Sequence, residues 1–178
     1  MGVFFVKKKV IKILATVFAI VLVVVVFVSY LPPVLHSTIY FSLEKDEEYI
    51  GKLSDEDYSD YTGKEYLKSG YVPYKVLVQF ENVSAQSCDY IFVPKIQTEE
   101  FIMDIHGFDT PHYGNVVGFK TEKREDVVWF KENLSQIDIE RIVNELNFDI
   151  EIVYDAGFSP FTLNEKTVHT NCEVILNK

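Results

Sequence analysis

The segment Tyr74–Phe80, with the sequence YKVLVQF, indicates the fold class because apolar and polar side chains alternate along it. Successive side chains of a β-strand point to opposite faces, so four apolar side chains would share one face. They are Tyr74, Val76, Val78 and Phe80. Lys75 and Gln79 would lie on the other face, towards water. A period of two residues is typical of a half-buried strand, and we expect a sheet that packs one face against a core.

Further strands are predicted downstream, where short apolar or alternating runs end at Pro, Gly or charged residues. They are Cys88–Val93, Glu100–His106, Val116–Thr121, Val127–Lys131, Phe148–Tyr154 and Thr167–Leu176. Thr38–Leu43 is a further candidate strand upstream. The charged sequence TEKRED, residues 121–126, predicts a hairpin loop between two of these strands.

One amphipathic helix is predicted to interrupt the strands after residue 134. Ser135 is a candidate N-cap, and Asp138 occupies the position of the acid in a capping box. Apolar side chains then recur every three or four residues, which is the spacing of one helix face. They are Ile139, Ile142, Val143 and Leu146. Because the helix would have only about 11 residues, we expect it to need packing against the sheet.

The pattern of many short strands and one helix predicts a mainly β fold over residues 74–178. Strands spaced about 8–15 residues apart favour an immunoglobulin-like β-sandwich with one short inserted helix. In general style this resembles the immunoglobulin-like ectodomains of small bacterial anchored proteins. Trp129 and the two Cys residues do not reproduce the Cys…Trp…Cys order of antibody domains. The alternative is an α+β sheet with the helix packed across one face.

An acidic, tyrosine-rich stretch precedes the predicted strands, and residues 32–73 are interpreted as a juxtamembrane connection. Glu44–Glu65 carries nine acidic residues against three Lys, with Tyr residues threaded through it. We expect one or two short helical turns here, with Ser54 as a plausible N-cap. The frequent Tyr residues indicate that the stretch lies against the following domain.

A membrane segment is predicted at Ile13–Leu31, which has 19 residues and no charge. A helix of this length spans about 28 Å, close to the thickness of a bilayer core. The run is too long for a usual cleaved signal peptide, which is the alternative interpretation. Residues 1–12 form a basic tail with four Lys and no acid, and the positive-inside rule places such a tail in the cytoplasm. We therefore expect a single-pass cell membrane protein whose C-terminal domain is periplasmic or extracellular.

The charge of the chain is divided unevenly along the sequence. The net charge is −10 overall, but residues 37–178 hold 13 basic and 27 acidic residues, a net charge of −14. This balance argues against a nucleic-acid-binding protein, which needs a basic surface to meet phosphates. It suits a basic protein partner, because opposite charges steer association.

Cys88 and Cys172 are the two cysteines, and both fall on strands of the predicted extracytoplasmic domain. An oxidising compartment would allow them to form a disulfide. They could equally be two buried free thiols, because both occupy plausible core positions. The sequence leaves these alternatives open.

The best candidate for a metal site is the set Asp104, His106, Asp109 and His112. Asp104 and His106 would share a strand face, and the loop after Gly107 could bring Asp109 and His112 back towards them. Two imidazoles and two carboxylates are suitable ligands for Zn²⁺ or another divalent cation. The competing interpretation is a polar strand end followed by a turn, in which Asp109 bonds to its own backbone. We expect no cofactor, and no catalytic residue is assigned.

These features predict a non-enzymatic, membrane-anchored protein-binding module, in contact with the bilayer through residues 13–31. Fifteen of the 17 basic residues are Lys, which indicates an AT-rich bacterial genome. The size of the chain fits an accessory subunit of a bacterial envelope complex. One alternative is an immunity protein that neutralises a toxin acting in the periplasm or at the outer face of the membrane. A second alternative is a divalent-metal-dependent enzyme or sensor centred on His106 and His112. The oligomeric state is left open.

Overall fold

The computed structural model describes residues 2–28, 31–92, 95–104, 112–155 and 165–177. It is mainly β, with one curled open sheet preceded by an N-terminal apolar helix. The prediction of a mainly β chain is confirmed.

Four helices and nine strands occur in the described part of the chain. In chain order they are α1 (Gly2–Val28), β1 (Leu35–Lys45), α2 (Glu47–Leu53), α3 (Tyr61–Lys68), β2 (Tyr71–Asn82), β3 (Cys88–Phe92), β4 (Lys95–Gln97), β5 (Phe101–Asp104), β6 (His112–Val116), β7 (Thr121–Lys131), α4 (Gln136–Glu145), β8 (Phe148–Asp155) and β9 (Glu165–Asn177).

Helix α1 covers residues 13–28 of the predicted membrane segment Ile13–Leu31 and ends three residues before that segment ends. Its stretch Val10–Val28 is long and apolar enough to cross a membrane. The apolar side chains of this stretch are exposed on all sides, which a helix buried in a protein core would not show. The described stretch begins three residues before the predicted segment Ile13–Leu31.

The described strands follow the order β4-β5-β7-β2-β1-β9-β8-β3-β6 across the sheet. Strands β1 and β9 are parallel, and the other pairs are antiparallel. Strand β9 changes partner along its length, pairing with β8 through Cys172 and with β1 from Glu173 onward. It therefore joins the two halves of the sheet.

The two halves of the sheet face each other across a shared core. Phe80 on β2 stacks on Tyr90 of β3 with ring centroids 3.9 Å apart, although three strands separate β2 from β3 in the sheet. The alternation predicted for Tyr74–Phe80 and Phe148–Tyr154 is confirmed, because the apolar member of each pair is buried. Burial of each such side chain stabilises the fold by about 1.5–3 kcal/mol.

Helix α4 has the predicted capping box. The Ser135 hydroxyl accepts the backbone N–H of Asp138, and the Asp138 carboxylate accepts the backbone N–H of Ser135. Ile139, Ile142 and Val143 are buried against the sheet, where α4 packs on β9 and β1. The prediction of this helix and of its apolar face is confirmed.

The predicted hairpin loop at residues 121–126 is wrong. These residues form the first half of β7, which pairs with β2 from Thr121 to Lys131 without interruption. The charged side chains that face the core have polar partners. Glu122 accepts a hydrogen bond from the Tyr90 hydroxyl, and Arg124 forms an ion pair with Asp126 at 3.4 Å. The turn instead lies at residues 117–120, so the predicted strand Val116–Thr121 is wrong as well.

The expected connection over residues 32–73 holds a strand and two helices. Strand β1 lies between β2 and β9, in the interior of the sheet. The N-caps of α2 and α3 are Asp46 and Asp60, whose carboxylates accept backbone N–H groups. The expectation that Ser54 caps a helix N-terminus is wrong, because Ser54 follows the last residue of α2.

Candidate functional site

A concave surface lies on the outer face of the sheet, opposite the core. We call it the acidic groove. It runs over β9, β1, β2 and β7, with α2 as one wall, and has a volume of about 520 Å³. Its lining residues are Tyr40, Ser42, Asp46, Glu48, Tyr49, Lys52, Tyr58, Lys75, Val76, Leu77, Glu125, Asp126, Val127 and Asn177.

A row of partly exposed side chains across neighbouring strands forms the floor of the acidic groove. Tyr40 is opposite Leu77 in the β1–β2 pair, and Leu77 is opposite Glu125 in the β2–β7 pair. Side chains in register across a sheet share a face, so these three side chains point the same way. The floor therefore offers an aromatic ring and an aliphatic side chain beside a carboxylate.

Carboxylates outnumber ammonium groups along the rim. The groove is lined by the carboxylates of Asp46, Glu48 and Glu125 and by Lys52 and Lys75; Asp126 also borders it, but its side chain is only 6% exposed and pairs with Arg124. The side chain of Asp46 is only 8% exposed and accepts the N–H of Tyr49 at 3.0 Å. Its carboxylate also lies 3.7 Å from the Lys75 ammonium. Asp46 is therefore held in place by the N-terminus of α2 and by Lys75.

Glu48 and Lys52 form an exposed ion pair on α2, with 2.7 Å between their charged atoms. The hydrogen bond and charge of Lys52 lower the pKa of Glu48, so this carboxylate stays ionised at neutral pH. Lys75 lies 4.0 Å from the same carboxylate. Exposed pairs of this kind are weak, and an incoming cation can exchange with either lysine at little cost.

Tyr49 fixes the wall of the acidic groove. Its hydroxyl donates to the Asp60 carboxylate, its ring meets Tyr58 edge-on at 6.4 Å, and it lies 5.9 Å from Trp129. Burial and the neighbouring Asp60 raise the pKa of Tyr49, so its hydroxyl remains a donor at neutral pH. Tyr58 itself is exposed and available for contact.

A second apolar cluster holds this wall against the sheet. Leu53, Ile102 and Trp129 are buried together under α2 and α3, and Tyr66 meets Trp129 edge-on at 5.3 Å. The predicted packing of the tyrosine-rich stretch on the following domain is confirmed. The wall is therefore preorganised, which reduces the entropy that binding would cost.

The side chains of the acidic groove are of the kinds that can bind a cationic group. Aromatic rings beside carboxylates bind the ammonium or guanidinium of Lys and Arg, through ring quadrupoles and charge-assisted hydrogen bonds.

The predicted metal residues fall largely outside the described part of the chain. Asp104 lies on β5 and His112 on β6 by their backbones, whereas His106 and Asp109 are outside the described residues. The side chains of Asp104 and His112 are not described either. Within residues 2–28, 31–92, 95–104, 112–155 and 165–177, no group of three or more His, Cys, Asp or Glu could hold a metal ion.

The structure contains Cys88 and Cys172 as two buried free thiols and not as a disulfide. Cys172 on β9 is opposite Phe148 of β8, whereas Asp89, the neighbour of Cys88 on β3, is opposite Val153 of β8. The two positions are therefore roughly 20 Å apart along the sheet, beyond the reach of a disulfide. Burial raises the pKa of each thiol to about 11, which keeps both protonated and unreactive.

Sequence reasoning did not find the acidic groove. It recognised the acidic, tyrosine-rich composition around Asp46 and Tyr49, but it placed Glu125 in a loop. The groove also depends on Tyr40 and Asn177, which the parallel pairing of β1 and β9 brings close. No local pattern in the sequence signals a pairing between positions so far apart.

Comparison with known proteins adds no assignment. No protein-family model matches the chain, and a search of curated proteins finds no match.

Proposed function

We propose that the protein is a membrane-anchored, non-enzymatic binding module whose acidic groove receives a Lys- or Arg-bearing segment of a protein partner. The observation that carries the proposal is the composition of the groove. Three carboxylates, those of Asp46, Glu48 and Glu125, lie beside Tyr40 and Leu77, with the Tyr58 ring exposed at the side. Protein interfaces typically have few charged residues at their centre and polar or charged residues at their rim.

The charge of the whole domain supports a basic partner. Residues 37–178 carry a net charge of −14, so a cationic protein is attracted over distances longer than a hydrogen bond. Electrostatic steering raises the association rate, and the groove then supplies the specific contacts.

The membrane part of the proposal is supported by α1 and by the lysines before its apolar stretch. We propose that the Lys-bearing tail is cytoplasmic and that the sheet domain lies in the periplasm or outside the cell. In this setting the protein serves as an accessory subunit of an envelope complex. The immunoglobulin-like arrangement stays a prediction, and the binding proposal requires only the curled sheet and its outer face.

Site-specific photo-crosslinking in the native host tests the acidic groove. The full chain carries a photoreactive phenylalanine analogue in place of Tyr40, and a matched control carries it in place of the exposed Ile137 on α4. We expect one dominant adduct from position 40 and none of that mass from position 137. An adduct of equal yield from both positions would show that the groove is not the binding surface.

Charge reversal tests the role of the carboxylates. Glu48→Lys combined with Glu125→Lys is expected to lower the yield of the adduct roughly tenfold, because both changes oppose a basic segment. The control combines Glu145→Lys and Glu165→Lys, which change the net charge equally at exposed positions away from the groove.

A stoichiometric envelope protein in the adduct supports the subunit role. A secreted toxin in its place supports the immunity alternative.

A further inference from the structure

We propose that the sheet domain rests on the bilayer through an apolar patch at the end of the sheet nearest α1. The proposal depends on the membrane anchorage in the proposed function. We call the surface the membrane-proximal patch, and its residues are Val34, Val83, Val117 and Phe119. Its occupant is the lipid–water interface of the membrane that α1 spans.

The position of the patch follows from the connection between α1 and β1. Helix α1 ends at Val28 and β1 begins at Leu35, which leaves six residues between them. Six residues reach at most about 20 Å. Leu35 of β1 is opposite Asn82 of β2, and Glu81 of β2 is opposite Thr121 of β7. The start of β1, the end of β2 and the start of β7 therefore lie at the same end of the sheet. The six-residue connection therefore keeps that end of the sheet close to the membrane surface.

Backbone hydrogen bonds make the patch continuous. The N–H of Val83 donates to the carbonyl of Val34 at 3.0 Å, and the N–H of Phe119 donates to the carbonyl of Ser84 at 2.9 Å. Val117 accepts from the N–H of Lys120 at 3.1 Å. The four apolar side chains project from this bonded framework and are exposed, with Phe119 at 71%.

Phe119 adopts a conformation that its side chain does not favour. Its φ is +55°, the left-handed region that favours Gly or Asn. The ring gains no burial in the core that could offset this strain. Contact with lipid would offset it, because Phe is among the side chains that enter the membrane interface. The adjacent Lys120 is exposed and places an ammonium group where lipid phosphates would lie.

The patch is tested with the full chain reconstituted into liposomes of phosphatidylcholine and phosphatidylglycerol. An environment-sensitive NBD fluorophore is attached to Phe119→Cys, and the matched control is Ile137→Cys. Ile137 is 79% exposed and lies on α4, beyond the opposite end of β7. The native cysteines are buried and do not compete for the label. Shallow doxyl lipids are expected to quench position 119 roughly threefold more than position 137, because interfacial groups enter the headgroup region.

Two outcomes separate the proposed lipid contact of the membrane-proximal patch from the proposed membrane anchorage through α1. A chain that alkaline carbonate extracts from the liposomes contradicts the anchorage, and with it the proposed function. A chain that resists extraction but shows equal quenching at both positions contradicts the patch alone. A blue-shifted label that doxyl lipids do not quench, and whose shift grows with protein density, identifies a second copy as the occupant and also contradicts the proposal.

A second variant separates lipid contact from folding. Phe119→Asn suits a positive φ, so it is expected to fold at least as well as the original chain. It should nevertheless reduce the doxyl quenching of a label at Val83→Cys roughly twofold, because the domain loses its largest interfacial side chain. Unchanged quenching at that position would overturn the proposal.

Discussion

Gly114 lies directly opposite Tyr90 in the β3–β6 pair, and the aromatic ring covers the glycine. A Cβ atom at position 114 would come within 2.2 Å of that ring. The Tyr90 ring cannot retreat freely, because Phe80 stacks on it and its hydroxyl donates to Glu122 at 3.3 Å. The glycine is therefore required for space at the point where the two halves of the sheet meet.

We predict that Gly114→Ala lowers the free energy of unfolding by about 1–3 kcal/mol, because it overpacks this contact. The matched control is Gly51→Ala on α2, where a Cβ would meet nothing within 4 Å. Alanine favours helix more than glycine, so the control should keep or raise stability by up to about 1 kcal/mol. Urea unfolding followed by circular dichroism measures both, and equal effects would contradict the assignment.

The cysteines give a second prediction at the residue scale. In the native full chain, neither Cys88 nor Cys172 should react with a thiol reagent at pH 8, and both should react after unfolding. Their folded pKa values of about 11 exceed the reference of 9.0, so the unfolded state loses these protons first. Stability should therefore be full below about pH 9 and decline as the pH rises towards 11. Detection of a Cys88–Cys172 disulfide by mass spectrometry would contradict the structure.

Among the elements, α4 was predictable from the sequence and the first half of β7 was not. The capping box of α4 is local, with Ser135 and Asp138 three residues apart, so it was predictable. The first half of β7 carries alternating charges that resemble a loop, and only its pairing with β2 makes it a strand. That pairing is not encoded in the segment itself.

The capping box provides a prediction at the element scale. Ser135→Ala removes the acceptor for the Asp138 N–H and should lower the free energy of unfolding by about 1 kcal/mol. Ser54→Ala, at the exposed C-terminal end of α2, serves as the control and should change stability by less than about 0.5 kcal/mol. Thermal unfolding of the two variants in parallel compares them, and an equal effect would refute the capping role.

For the whole molecule, the β class and the two strands with the clearest alternation were predictable because each depends on neighbouring residues. The closure of the sheet was not, since β1 and β9 pair in parallel across more than 120 residues of chain. The acidic groove was not predictable for the same reason, because its floor and wall come from different elements that only the closed sheet brings together. Composition predicted an acidic, tyrosine-rich surface, but tertiary structure decides where it lies.

The central claim, that an acidic binding domain is anchored on the outer side of a membrane, is tested most directly by labelling intact cells. The full chain is expressed in its host as Ile137→Cys or as Gly2→Cys, and a membrane-impermeant maleimide is applied to spheroplasts. Because the native thiols are buried, the account predicts labelling of Ile137→Cys in intact spheroplasts and of Gly2→Cys only after lysis. Labelling of Ile137→Cys only after lysis would contradict it.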